Sequence, residues 1–123
     1  MKTGEGIITR SDLMAREMAR LAAGKKAQGT VILDMRELCS YTDYFIITSG
    51  RSSRQTRAIG EEIRLEMKKK GAVVFHVEGE PKGDWILMDY MNVVVHIFTP
   101  EARDFYRLEF LWKEAPRMEA EGE

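Results

Sequence analysis

Residues 44–77 constrain the fold more than any other stretch of this chain. Tyr44-Phe45-Ile46-Ile47-Thr48 is apolar at consecutive positions, and because neighbouring strand residues point to opposite sides of a sheet, such a segment needs cover on both faces. Ser49-Gly50-Arg51-Ser52-Ser53 follows as a turn whose hydroxyls suit the cap of a helix. Thr56, Ile59, Ile63 and Met67 then recur at helical spacing and form one narrow core-facing stripe. Lys68, Lys69 and Lys70 set cations against the carbonyl end of that helix, and Gly71 suits its C-cap. Ala72 to Val77 reads as the next strand. The whole is a β-α-β unit, whose two strands are expected to be parallel neighbours joined by a right-handed crossover.

The flanks extend the same sheet. Thr9-Arg10-Ser11-Asp12 offers N-caps to a first helix carrying Leu13, Met14, Met18, Leu21 and Ala22 at helical spacing and ending near Gly24. Thr30 to Leu33 is a short β-branched strand. Beyond the loop Glu78 to Gly83, Trp85 to Asp89 and Val93 to Phe98 read as a hairpin around Tyr90-Met91-Asn92. Thr99-Pro100-Glu101 combines a capping hydroxyl, a proline at the first helical position and an early acid, opening a helix that runs to about Trp112. The expected order, α-β-β-α-β-β-β-α without internal repeat, is a single α/β domain with a mixed sheet of about five strands and three helices. A length of 123 residues fits one such domain. A flexible lead is expected over 1–8, the domain over 9–113 and an acidic disordered tail over 114–123, where Glu114, Glu119, Glu121, Glu123 and Pro116 meet almost no large apolar residue.

Nineteen basic and 20 acidic side chains leave a net charge of −1, so no uniform field draws the molecule to nucleic acid or to an anionic membrane. The charge is local instead. Seven bases against three acids lie between Arg51 and Lys70, and eleven acids against five bases lie from Glu78 to the end. The first run is a solvated helix face or, through Arg51, Arg54 and Arg57, a secondary RNA contact. The second suits a basic partner such as a ribosomal protein. Cys39 is the only cysteine, which excludes an internal disulfide and fits a reduced cytosolic setting. The first residues lack the apolar stretch of a secretory signal and no apolar run approaches the ~20 residues of a membrane span, so a cytoplasmic protein without membrane contact is expected.

The hairpin is apolar on both sides. Trp85, Leu87 and Asp89 share one face, Ile86, Met88 and Tyr90 the other. Three helices cannot cover both faces of such a sheet, so some apolar surface is expected to stay open. Phe105, Tyr106, Leu108, Phe110, Leu111 and Trp112 also spread around more of the last helix than one core stripe needs. Hairpin and last helix together therefore read as an interaction surface, for a partner or for a second copy of the chain.

The search for chemistry finds less. Cys39 with His76 or His96 is a weak thiolate pair, since nothing in the sequence brings them together, and His96 inside a strand reads as hydrogen-bonded structure. Gly50, Arg51, Ser52, Ser53 and Arg54 lie at a strand-to-helix junction where backbone N–H groups hold phosphate, so this loop is the candidate phosphate or RNA contact and the basis of an alternative reading as a nucleotide-handling enzyme. It lacks the Gly-Lys-Ser/Thr ending of a Walker loop. Its setting is similar to the Gly-Ser motif of nucleotidyltransferases, which need two metal-holding acids on the following strand. Ala72 to Val77 holds none, and Glu61 and Glu62 are adjacent on a helix and do not face one site. No catalytic residue, metal site or cofactor is expected.

Several blocks, in this order, resemble the ribosomal silencing factor family, also called Iojap-related. They are Asp43 to Gly50 followed by Ser52-Ser53-Arg54-Gln55, Glu78-Gly79, Trp85-Ile86-Leu87-Met88-Asp89-Tyr90, Val94-Val95-His96-Ile97-Phe98 and Arg103 to Trp112. The resemblance implies a nucleotidyltransferase-like fold without catalysis. It also implies binding to the fourteenth protein of the large ribosomal subunit on its intersubunit face, a steric block to joining of the small subunit, and repression of translation when nutrients are scarce. On that basis Trp85, Leu87, Asp89, Tyr90, Met91 and Asn92 are the candidate partner-binding residues. Trp85 and Tyr90 are aromatic anchors by type and Asp89 a partner for Lys or Arg, although Trp85 fits a core position equally well. The family's hairpin turn usually carries Gly-Asp where this chain has Met91-Asn92, and Asn92 is the residue expected to take up any left-handed conformation there.

Overall fold

The computed structural model describes residues 10–118. Helix α1 spans Ser11–Gly24, β1 Gln28–Asp34, β2 Tyr44–Ser49, α2 Ser53–Lys69, β3 His76–Glu78, β4 Trp85–Asp89, β5 Val93–Phe98, α3 Pro100–Tyr106, α4 Leu108–Leu111 and β6 Arg117–Met118. The strands form one mixed sheet in the order β3-β4-β5-β2-β1-β6. At its centre β2 and β5 run parallel, Tyr44 opposite Val93 and Ser49 opposite Phe98, and every residue of both strands is buried. That answers the doubled apolar pattern of the sequence, because a strand with cover on both sides has no solvent face for polar residues.

The β-α-β expectation is corrected in one respect. Strand β3 does not lie beside β2 but at the sheet edge, paired antiparallel with β4, so that β4 and β5 stand between them. The hairpin β4-β5 inserts into the gap and supplies β2's parallel neighbour. The strand is also shorter than residues 72–77. Gly71 N–H bonds to Lys68 O and Ala72 N–H to Met67 O, ending α2 in the paired bonds of a Schellman motif, and regular pairing resumes only at His76.

Helices α1 and α2 pack on one sheet face, where Met14, Met18, Ile59, Ile63 and Met67 meet Ile32, Ile46, Met88, Val95 and Ile97. Each such side chain contributes about 1.5–3 kcal/mol on burial. The predicted caps of the later helices form: Ser52 Oγ accepts from Gln55 N–H and Thr99 Oγ1 from Ala102 N–H. The first helix differs, for Arg10 is its N-cap without a side-chain bond and the Ser11 hydroxyl donates to Asp43 Oδ2 at 2.8 Å instead.

On the opposite face Leu33, Phe45, Ile47, Val94 and Phe98 are covered by Ala102, Leu108, Trp112 and Ala115. The single helix expected up to Trp112 is broken at Arg107, which takes φ +50 between α3 and α4. A straight helix would place Ala102 and Leu108 about 120° apart around its axis, so one of them would miss the sheet. The break lets both reach it.

Residues 114–118 are not a frayed tail. Ala115 is buried, Asp34 N–H bonds to Pro116 O, and Arg117–Met118 pairs with β1 as a sixth strand. The expected lead over 1–8 and the rest of the tail lie outside the described residues.

Candidate docking face

Cross-strand register places Glu78, Leu87, His96 and Ile47 in one row, and His76, Asp89, Val94 and Phe45 in the next. The rows cross the face that α3 and α4 only partly cover. Cover is complete over Phe45 and Phe98 and thins toward β4 and β3, where Trp85, Leu87 and Asp89 are half-buried and His76 and Glu78 are exposed. Beside this rim Phe105 is 78% exposed, and Tyr106, Phe110 and Leu111 are exposed with it. The open apolar surface expected from the sequence is present, and it lies where the hairpin meets the last helices. Its polar groups are acidic at Asp89 and Glu78, with His76 Nε2 2.8 Å from Glu78 Oε2.

The six candidate contact residues separate in the structure. Trp85, Leu87 and Asp89 share the open face, as their alternation requires. Met91 is exposed at the tip of the turn, and so is Asn92. Tyr90 is corrected: it is 6% exposed and packs with the α1-α2 core, so its ring cannot anchor a partner. Burial pushes its phenol up to about 12. The turn also differs from expectation, because Met91 rather than Asn92 takes the positive φ, +75. Asn92 N–H bonds to Tyr90 O across it and Met91 N–H bonds to Asp89 Oδ1 at 2.7 Å, so Asp89 holds the turn as well as facing outward.

The Gly50 loop is tight and internally bonded. A Cβ at Gly50 would lie 2.9 Å from Thr56 N, which explains the glycine. Gly50 N–H goes to Phe98 O, Arg51 N–H to Gln55 Oε1 and Gln55 N–H to Ser52 Oγ. Gln55 Nε2 continues to Lys25 O. The N–H groups of Gly50, Arg51 and Gln55 are thus spent on the chain itself. Arg51, Ser52 and Arg54 are exposed and Ser53 is half-buried. Of the neighbouring cations, Arg57 Nη1 bonds to Pro81 O, Arg64 to Glu80, Lys69 to Glu66 and Lys70 to Glu17.

Strand β3 does carry an acid, Glu78, in place of the loop expected from that residue; two strands separate it from β2 and the Gly50 turn. Glu61 and Glu62 were expected not to face one site, and this is corrected: both line one groove beside α2 with Leu65, Lys68, Val73 and Val74. Among the described residues no three His, Cys, Asp or Glu side chains gather as a metal site. Cys39 Sγ–H points to Thr42 O at 3.6 Å, and His96 is bonded to Trp85, so the thiolate pair is not formed. No helix among the described residues is long and apolar enough to cross a membrane.

Sequence reasoning missed Arg103. Its Nε and Nη2 hold both carboxylate oxygens of Glu109 at 2.9 and 3.1 Å, Nη1 bonds to Ser49 Oγ and Gln28 O, and Nη2 also bonds to Gly29 O at 2.7 Å. The guanidinium therefore ties α3 and α4 to β1 and β2 and sets the angle of the exposed aromatic segment. No local pattern marks it, since its four partners come from three separate elements.

The sequence pattern of the family described as ribosomal silencing factor during starvation matches residues 8–123. The ribosomal silencing factor RsfS of Halalkalibacterium halodurans is 36% identical over 111 residues, spanning 87% of this chain and 95% of that protein. The RsfS of Bacillus subtilis is 39% identical over 92 residues, 75% of this chain and 78% of that one. A crystal structure of a Bacillus halodurans protein superimposes with a TM-score of 0.76 at 32% identity, covering 89% of this chain and 99% of that chain.

Proposed function

The chain belongs to the ribosomal silencing factor family, and from that premise we propose that it binds the large ribosomal subunit through the open face of β3 and β4. Its receiver is the subunit's fourteenth protein, on the intersubunit side. The bulk of the domain then occupies space that the small subunit needs, and translation falls when nutrients are scarce. The protein acts in the cytoplasm by occupying a surface and not by catalysis. RNA contact through Arg51 and Arg54 is secondary. A second copy of the chain is a competitor for the same face.

One observation carries this reading: the sheet is left half-covered where Trp85 and Leu87 lie beside Asp89 and Glu78. An apolar centre with an acidic margin complements a basic ribosomal protein. Anchoring falls to Trp85, with Leu87 beside it and Met91 and Asn92 at the rim. The nucleotide-enzyme alternative has less to draw on, because the N–H groups of Gly50 and Arg51 are bonded within the chain.

Leu87→Arg tests the face by setting a cation in its middle. The variant is expected to stay folded by circular dichroism and to stop co-sedimenting with purified large subunits. Wild-type co-sedimentation would remove this face from the account.

A further inference from the structure

Trp85 and His96 are diagonal neighbours on the open face, since Trp85 stands opposite Phe98 and His96 opposite Leu87. The indole Nε1–H donates to His96 Nδ1 at 3.1 Å. Phe98 and Tyr106 hold the indole from the sides, with ring centroids 5.0 and 4.6 Å away. His96 is itself fixed, 4% exposed and met edge-on by Phe45 at 4.7 Å. Burial lowers its pKa to about 4, so the ring is neutral at cellular pH. With Nδ1 accepting, the proton sits on Nε2. An indole nitrogen is a donor only, and this one is spent inside the chain. What Trp85 offers a partner is therefore apolar ring surface in one orientation.

We propose that His96 is a positioning residue, which by accepting the Trp85 N–H pre-sets the ring that the large-subunit protein receives. The inference rests on the docking reading above and deepens it. An anchor already held in its bound rotamer loses less freedom on association than one that must be ordered then. A partner site complementary to this orientation needs a groove for the ring and no acceptor for its nitrogen.

His96→Phe keeps a ring and deletes the acceptor, while His96→Asn sets an amide oxygen near the place of Nδ1. Affinity for purified large subunits is expected to fall about three- to tenfold in the first variant and to return with the second. In a Trp85→Phe background, His96→Phe is expected to have no further effect, because the indole it orients is gone. Equal losses with and without the indole mean ordinary sheet packing and overturn the proposal. So does wild-type affinity of His96→Phe when Leu87→Arg and Trp85→Phe both weaken binding. Unchanged affinity in Leu87→Arg and Trp85→Phe instead overturns the docking face itself. The unmodified protein supplies a check that needs no variant to fold: nitrogen-15 shifts at neutral pH must show His96 Nδ1 unprotonated and Nε2 protonated, and the reverse tautomer sinks the proposal.

Discussion

Replacing Met91 isolates a backbone effect with little packing around it. Met91 takes φ +75 and its side chain is 55% exposed. The bonds of the turn, Asn92 N–H to Tyr90 O and Tyr90 N–H to Val93 O, both 2.9 Å, and Met91 N–H to Asp89 Oδ1, use nothing of the Met91 side chain. A non-glycine residue in the left-handed region costs about 1–2 kcal/mol. Glycine removes that cost but gains freedom in the unfolded chain, which takes back about 0.5–1 kcal/mol. Met91→Gly is therefore expected to stabilise the fold by roughly 0.5–1 kcal/mol, raising the melting temperature by about 2–5 °C for a domain of this size. Met91→Val branches at Cβ where that conformation tolerates it least, and is expected to destabilise by about 1 kcal/mol. Urea titrations followed by circular dichroism read both, with the slope of the transition unchanged. A valine variant as stable as the glycine variant, or a glycine variant below the parent, refutes the reasoning.

Three further outcomes follow from the same geometry. Arg103→Met leaves Glu109, Ser49 Oγ and two carbonyls of β1 without their donor, and with the site still reached by solvent it should cost about 2–3 kcal/mol in a chemical melt, Arg103→Lys recovering only part. Gly79→Ala puts a Cβ onto the Trp85 carbonyl oxygen at φ +81, so a loss of at least about 3 kcal/mol is expected, together with weaker large-subunit binding as Trp85 is displaced. His96, held near pKa 4 against 6.5 in the unfolded chain, binds its proton more readily unfolded. Folding stability should then fall as pH drops from 6.5 toward 4, by roughly 3 kcal/mol over the window, and His96→Asn should flatten that part of the stability profile.

Local chemistry was readable where neighbours in sequence are also neighbours in space. The hairpin bounds, the hydroxyl caps Ser52 and Thr99 and the stripe Ile59, Ile63 and Met67 all depend on residues within a few positions of one another. Strand order was not so readable, because nothing in residues 72–77 reports that β4 and β5 fill the place beside β2. The helix break had the same character. Arg107 carries no helix-breaking chemistry, and its conformation answers the demand that Ala102 and Leu108 both meet the sheet. For the docking face, the alternation of Trp85, Leu87 and Asp89 was legible, but which face the two long helices would cover was not. That choice sent Tyr90 into the core, against its reading as an anchor. The short pairing of Arg117–Met118 was hidden by an acidic composition that read as tail.

The parallel pairing of β2 with β5 has a consequence for the order in which the molecule is made. Synthesis runs from the N-terminus, so Tyr44–Ser49 leaves the exit tunnel well before its central partner Val93–Phe98 does. Strand β1 can shield one of its edges at once as an antiparallel neighbour, yet the other edge stays bare until the hairpin arrives. The nascent polypeptide must carry a greasy ribbon with one bare edge until the hairpin is made, and a product cut short before residue 98 would keep that edge exposed and prone to self-association.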